Sequence, residues 1–387
     1  MNYKLSKVVQ EIPPSGIRQF FDLVIGMKDI VSLGVGEPDF ATPWHIREAA
    51  ISSIEEGYTS YTSNKGLVEL RREIARFLDR RYGLKYDPEE EILVTVGASE
   101  ATDLALRAIL NPGDKFLIPE PCYVSYMPMT ALAGGTSVYL RTGKENGFKL
   151  LPEQVDRACG ARTKGILFNY PSNPTGASYT KEELTKIAKI AQKRDLLVIS
   201  DEIYDELTYD FQHTPLPTLK GMKERTIYIN GFSKAYAMTG WRVGFACGPA
   251  EIIAAMTKIH QYTIMCVPIM GQMAAVEAMK NGQRAVEEMK REYHRRRDFI
   301  VDGLNKIGLE CHQPQGAFYV YPSIRSTGLS SMDFVTALLK KEKVAVVPGT
   351  AFGPSGEGHI RISYASSMAN IKEALTRIER FLATGPV

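Results

Sequence analysis

Nothing in this chain supports a covalent or metal framework. Its 387 residues include five cysteines (Cys122, Cys159, Cys247, Cys266 and Cys311), an odd number, scattered, with no Cys-x-x-Cys pair. Such spacing indicates neither a zinc site nor a disulfide scaffold. No apolar run approaches the roughly 18 residues of a membrane span, and the first residues lack the apolar core of a secretory signal. A cytoplasmic location, with no membrane partner, is therefore expected. A dominant charge is missing too: 47 Lys and Arg against 44 Asp and Glu leave +3, which makes no case for a nucleic-acid partner. The densest basic run, Arg295-Arg296-Arg297, is interleaved with Glu292 and Asp298, so a solvated helix face is expected there. Internal repeats and low-complexity linkers are absent as well. What remains is an ordinary globular composition, 44% hydrophobic and 24% charged, on a length that suits two domains.

The stretch from Gly231 to Gly244 is the most informative. It reads Gly-Phe-Ser-Lys-Ala-Tyr-Ala-Met-Thr-Gly-Trp-Arg-Val-Gly and follows an apolar run at 227–229 that has the character of a strand. A lysine held among apolar and small residues at a strand end is costly to keep charged, so the pKa of Lys234 should fall. A depressed ammonium pKa is what an amine needs to form a Schiff base with a carbonyl. Ser233 and Arg242 are placed to grip an anion beside it, Arg242 through its planar fork. Together they suggest an aldehyde cofactor that carries a phosphate, a description met by pyridoxal phosphate.

Taken in order, the chain begins with a short helical candidate at 17–24. Gly34-Val-Gly36 fails as a dinucleotide loop because Asp39 stands where the third glycine belongs, although Gly36 still lets backbone approach a ligand. Residues 44–82 read as helix, broken at 58–66 by a polar loop that carries Tyr61. The run at 92–96, the turn Gly97-Ala-Ser-Glu100 and an amphipathic stretch to 110 make a strand, turn and helix. Ser99 is the expected N-cap there, and the free N–H groups around Ala98 and Ser99 form an anion site. Further strand candidates at 116–118, 137–140, 165–168 and 196–199 alternate with helical patterns. That alternation predicts an α/β fold, a mostly parallel sheet with helices on both faces. The turns at Gly97, Tyr123, Asn173, Asp201 and Lys234 then gather at the carboxyl ends of the strands, where such sheets bind ligands. Asp201 closes an apolar strand, a costly place for an unpaired carboxylate. After 248 the pattern predicts helices at 250–260, 268–280 and 283–306, and then a smaller α+β unit.

These motifs carry a family resemblance. Asn173-Pro-Thr-Gly, Asp201-Glu-Ile-Tyr204, Ser233-Lys234 with Gly240-Trp-Arg242, and Arg361-Ile-Ser-Tyr-Ala stand in the order and approximate spacing of class I aminotransferases. Those are fold-type I pyridoxal phosphate enzymes, and the prokaryotic aromatic and aspartate enzymes look most similar. The resemblance implies a seven-stranded large domain over 46–282, with 1–45 and 283–387 forming a second, smaller unit. It implies an internal aldimine on Lys234, which also shuttles the proton, and Asp201 pairing with the pyridine nitrogen. Asn173 and Tyr204 would hydrogen-bond the ring's 3′ oxygen, with Tyr123 stacked on its face. Backbone near Ala98 and Ser99, with Ser233 and Arg242, would hold the phosphate. Tyr61 would reach the phosphate across a homodimer interface. Arg361 would clamp the substrate α-carboxylate, with Gly36 and Asn173 beside it, and the Asn173–Pro174 bond is cis in relatives.

One departure weakens a strict dicarboxylate preference: residues 256–268 hold Lys258, His260 and Gln261 but no arginine. Lys65 or Asn64 would be the alternative readers of a second carboxylate, and Tyr123, Phe318 and Tyr319 are candidates to line the pocket. The expected activity is ping-pong transfer from an aromatic or broadly chosen L-amino acid to a 2-oxo acid such as 2-oxoglutarate. An aspartate-specific transaminase and a β-lyase on the same fold are the alternatives. A cofactor-binding regulatory module, which would carry a DNA-binding domain ahead of the Gly36 motif, is not expected. A serine hydrolase fails because Gly231-Phe-Ser-Lys-Ala lacks the second glycine of the nucleophile elbow.

Overall fold

Side chains of the main sheet point alternately to its two faces, and each face packs against different helices. The computed structural model describes residues 4–17 and 27–385. The helical expectation at 17–24 therefore lies outside the described residues, apart from Ile17. In chain order the strands are β1 (Val31–Ser32), β2 (Ile92–Thr95), β3 (Lys115–Glu120), β4 (Thr136–Arg141), β5 (Thr163–Asn169) and β6 (Leu197–Asp201). They continue with β7 (Thr226–Gly231), β8 (Gly244–Cys247), β9 (Tyr319–Val320), β10 (Val344–Ala345), β11 (Val347–Pro348) and β12 (Ile360–Ser363).

Seven of these form one sheet in the order β2-β8-β7-β6-β5-β3-β4. β8 runs antiparallel to both β2 and β7, and the other pairings are parallel. The sheet is thus mostly parallel, as expected, with one reversed strand. β8 escapes a reading of the sequence because it is only Gly-Phe-Ala-Cys, too short to show a period. Leu93, Leu167, Ile199, Ile227 and Ala246 turn to one face, under the helices Gly97–Ile109 and Ala250–Thr263. Their neighbours Val94, Tyr228 and Phe245 turn to the other, against the helices Val68–Tyr82 and Ile269–Asn281. Successive side chains point to opposite faces of a strand, so the inner strands are apolar on both sides, whereas the edge strand β4 is largely uncovered.

A second core gathers β1, β9, β10 and β12 with the helices Gln283–Lys306, Ser331–Glu342 and Met368–Thr384. β1 pairs with β10 in parallel, and β12 lies antiparallel between β11 and β9. The N-terminal strand is therefore built into the C-terminal unit. The helix Gln283–Lys306 buries Val286, Met289, Tyr293, Ile300 and Leu304, a helical spacing. Its basic run departs from the expected solvated face: Arg296 and Arg297 are buried, while Arg295 is exposed. Arg296 donates to Asp39 at 2.8 Å and Arg297 is bound by Asp210, so both guanidiniums fasten loops onto the helix. The interleaved Glu292 and Asp298 do pair with these arginines, and the fold adds Asp39 and Asp210 from far along the chain.

Candidate active site

Short turns at the carboxyl ends of the strands converge on a cavity of about 530 Å³. Gly36, Ala98, Ser99, Tyr123, Asn173, Asp201, Tyr204, Ser233, Lys234, Arg242 and Arg361 all line it, from segments spread over most of the sequence. Tyr61 does not, and its side chain stands 81% exposed on its loop. No group of three or more His, Cys, Asp or Glu able to hold a metal occurs among the described residues.

Lys234 follows directly on the turn after β7. Its Nζ donates to the carbonyl of Gly36 at 2.6 Å and lies 5.7 Å from the ring centre of Tyr204. Burial, and then the Arg361 charge nearby, lower its pKa to about 8. Asp201 ends β6 and is only 6% exposed. Burial raises its carboxyl to about 6, against the pull of a 2.6 Å hydrogen bond donated by the hydroxyl of Tyr126 and a 3.3 Å one from the N–H of Ile203.

The helix Gly97–Ile109 starts without a break from β2, and this corrects the expected cap. Val96 is the N-cap, and Ser99 lies inside the first turn. Gly97, at φ +75°, makes the sharp entry possible. The carboxylate of Glu100 folds back to accept the N–H of Val96 at 2.5 Å, and His260 Nδ1 contacts its other oxygen at 2.7 Å. The first N–H groups of an α-helix have no partner within it, and Ala98 and Ser99 of this first turn line the cavity. A Cβ on Gly97 would come within 2.4 Å of Arg242 Nη2, so the guanidinium packs directly on this turn. Arg242 itself is held by the Thr239 carbonyl at 2.9 Å.

Arg361 projects from β12, the C-terminal unit's contribution. Nη1 donates to Asn173 Oδ1 at 2.9 Å and Nη2 to the Gly34 carbonyl at 2.6 Å, while Nε has no partner among the described residues. The fork lies between the rings of Tyr319 and Phe352, at 4.5 and 4.8 Å. Tyr319 also hydrogen-bonds the hydroxyl of Tyr204 at 2.9 Å. The Asn173–Pro174 bond is cis.

Lys65 is bound to the Glu89 carbonyl and Glu90, and Asn64 to the Met265 carbonyl, on the loop that carries Tyr61 and outside this chain's own cavity. One expectation fails here. Phe318 is fully buried in the second core beneath Tyr204 rather than exposed to the cavity. Two residues went unrecognised: Tyr126, which grips Asp201, and Asn169, whose amide donates to the Asp201 carbonyl at 2.9 Å. Asn169 sits at the end of β5 in register with Asp201 on β6. The argument that singled out Asp201, a polar residue closing an apolar strand, applies equally to it.

Comparison with known proteins agrees with this geometry. Residues 28–378 match the family model for aminotransferases of class I and II. YugH of Bacillus subtilis (strain 168) is 56% identical over 382 residues, covering 99% of each chain. An aspartate aminotransferase of Pyrococcus abyssi is 46% identical over 96% of each. The crystal structure of an aromatic aminotransferase from Pyrococcus horikoshii OT3 superposes with a TM-score of 0.90 at 45% identity, covering 95% of this chain and 99% of that one. The chain belongs to the class I and II aminotransferases, enzymes that move amino groups.

Proposed function

We propose that this aminotransferase uses pyridoxal phosphate in the cavity to move the amino group of an aromatic or broadly chosen L-amino acid to a 2-oxo acid such as 2-oxoglutarate, in ping-pong order. The observation that carries the reading is a single cavity uniting a lysine of lowered pKa, a buried carboxylate and an arginine fork. The donor set fits the cofactor. Open helix N–H groups at Ala98 and Ser99, the hydroxyl of Ser233 and the guanidinium of Arg242 suit a phosphate. Asp201 suits a protonated ring nitrogen, and Lys234 an aldehyde. When bound, the cofactor supplies a carbon that carries the amino group and a ring that accepts the electron pair left by the departing α-proton.

The chain's own residues account for the remaining work. Lys234 would hold the aldehyde carbon and, once released, carry the proton between the substrate Cα and the cofactor's C4′. A pKa near 8 leaves a useful fraction of the amine neutral at physiological pH. Asp201 would hold the proton on the ring nitrogen, with Tyr126 keeping its carboxylate oriented. Asn173 and Tyr204 would support the 3′ oxygen, and Tyr123 would cover the ring face. Arg361 receives the substrate carboxylate in a fork that lysine cannot reproduce.

The cations lining the cavity are Lys234, Arg242 and Arg361, all with roles already given, and its remaining wall includes Ile17, Val35, Val124, Met129 and Ile203. With Glu37 on it and no further cation, that wall favours an apolar side chain over a second carboxylate, although Ser15, Thr102, Ser125 and Thr239 also line it. We take residues 46–282 as the cofactor-binding part, and 1–45 with 283–387 as the other. The exposed Tyr61 and Tyr262, at 81% and 83%, support a homodimer in which Tyr61 completes the partner's site. A cytoplasmic location completes the reading; no described helix is long and apolar enough to cross a membrane.

The test is the visible spectrum of the purified protein, followed by single amino acids added without a keto acid. Conversion to the pyridoxamine form by tyrosine or phenylalanine but not aspartate is expected. The reverse order would make it an aspartate enzyme. Release of pyruvate and ammonia from a cysteine conjugate would make it a β-lyase. No visible band after reconstitution would end the cofactor reading.

A further inference from the structure

We propose that a second site, outside the candidate active site, binds inorganic phosphate at the junction between the edge of the large sheet and the C-terminal unit. A recess of about 100 Å³ there is lined by Arg141, Glu145, Arg325, Ser355 and His359. Arg141 closes β4, the edge strand of the seven-stranded sheet, and the last three belong to the C-terminal unit. The recess adjoins a wider groove of about 610 Å³, where Arg141, Arg325 and Ser355 recur beside Glu120 and Glu357.

The polar groups at this junction lack partners of both signs. Arg141 and Arg325 are exposed and neither is ion-paired among the described residues, whereas Lys144, which also lines the recess, is held by Glu310 at 2.7 Å. His359 Nδ1, Ser355 Oγ and Glu120 Oε1 are buried, and each is without a hydrogen-bond partner among the described residues. His359 and Glu120 are each 6% exposed. Burial, and then the charge of Arg325 beside it, lower the pKa of His359. Gly358 keeps the guanidinium in place, since a Cβ there would come within 2.8 Å of Arg325 Nε.

Buried polar atoms are rarely left bare, and an occupant that satisfies the three here beside the two exposed guanidiniums needs a particular chemistry. It must present oxygens to two guanidinium forks and to the Ser355 and His359 donors. It must also present a proton to a carboxylate, because Glu145 lines the recess and Glu120, with its orphaned Oε1, lines the groove beside it. Inorganic phosphate does both at neutral pH, since it retains a P–OH. Sulfate has the same shape and no proton to give. The volume of the recess suits one such ion. An occupant would tie the sheet edge to the segment leading into β12, where His359 stands two residues before Arg361.

The experiment uses holoenzyme saturated with cofactor, so that the candidate active site is filled, at constant ionic strength. Inorganic phosphate, sulfate and glycerol 2-phosphate are titrated by calorimetry and by thermal midpoint. Phosphate far above its Kd should raise the midpoint by roughly 2–4 °C. Sulfate should bind about tenfold more weakly, because it leaves the carboxylates without a donor. Arg325→Ala, a change at an exposed residue, should abolish the phosphate shift and keep the basal activity. Glycerol 2-phosphate binding as tightly as phosphate would assign the site to phosphate monoesters rather than the free ion, against the proposal. Equal binding of sulfate would likewise overturn the assignment to phosphate. A shift that survives Arg325→Ala, or no shift at all, would remove the site.

Discussion

Replacing Tyr126 with phenylalanine removes a single oxygen atom, and the structure gives the consequence in numbers. The hydroxyl donates to Asp201 Oδ2 at 2.6 Å, with both side chains buried. A hydrogen bond to a charged group contributes about 1.5–3 kcal/mol, or roughly 1–2 pKa units on the carboxyl that loses it. Asp201 already sits at about 6, so in the Tyr126→Phe protein it should lie between about 7 and 8. At pH 7 the wild-type carboxyl is roughly 90% ionised, and the variant's about half to a tenth. If the cofactor binds only the ionised form, the apparent Kd rises by the reciprocal of that fraction. Apoenzyme titrated with pyridoxal phosphate at pH 7 should therefore bind about two- to tenfold more weakly in the variant. At pH 9 both carboxyls are ionised, and the ratio of variant to wild type should fall close to one. Taking the ratio at each pH cancels the titration of Lys234. A defect equally large at pH 7 and pH 9 would mean that Tyr126 only shapes the wall. No defect at either pH would refute the assigned partnership with Asp201.

Three further outcomes follow from the same geometry. Asp201 has a folded-state pKa of about 6 against an ordinary 3.8, so the folded state holds its proton more tightly. Stability is therefore lost as pH rises from about 4 to 6, and above that range the ionised carboxyl costs about 3 kcal/mol. Apoenzyme carrying Asp201→Asn should melt higher than wild-type apoenzyme at pH 8, with no difference below pH 4, while losing cofactor affinity. Gly97→Ala puts a Cβ at φ +75° within 2.4 Å of Arg242 Nη2, a strain of about 1–3 kcal/mol. Its cofactor affinity should drop by at least about tenfold, as read by equilibrium dialysis, with the far-ultraviolet dichroism unchanged. Arg361→Lys keeps the charge but loses the fork that reaches Asn173 and Gly34. Steady-state kinetics should show kcat/KM lowered by about 10- to 100-fold, mainly through KM.

The sequence by itself determined those features that rest on local chemistry. Apolar runs with β-branched residues mark most of the large sheet's strands, because a strand covered on both faces has to be apolar throughout. The roles of Asn173 and Arg361 come only through the resemblance their motifs carry, whereas Lys234 and Asp201 stand where a charge is costly without a partner. Asp201 closing an apolar strand and Lys234 among small residues are conspicuous for that reason.

Only the tertiary structure decided which partners these residues take. Tyr126 looks like any aromatic at the start of a helix until the fold carries it to Asp201, 75 residues away. Arg296 and Arg297 read as surface charge until Asp39 and Asp210 arrive from distant loops. Lys65 is a free cation in the sequence and a paired one in the fold. β8 has four residues and no period of its own, so its place between β2 and β7 comes from the sheet. Burial and pairing are properties of segments brought together across the chain, and local residue chemistry carries no record of which segments meet.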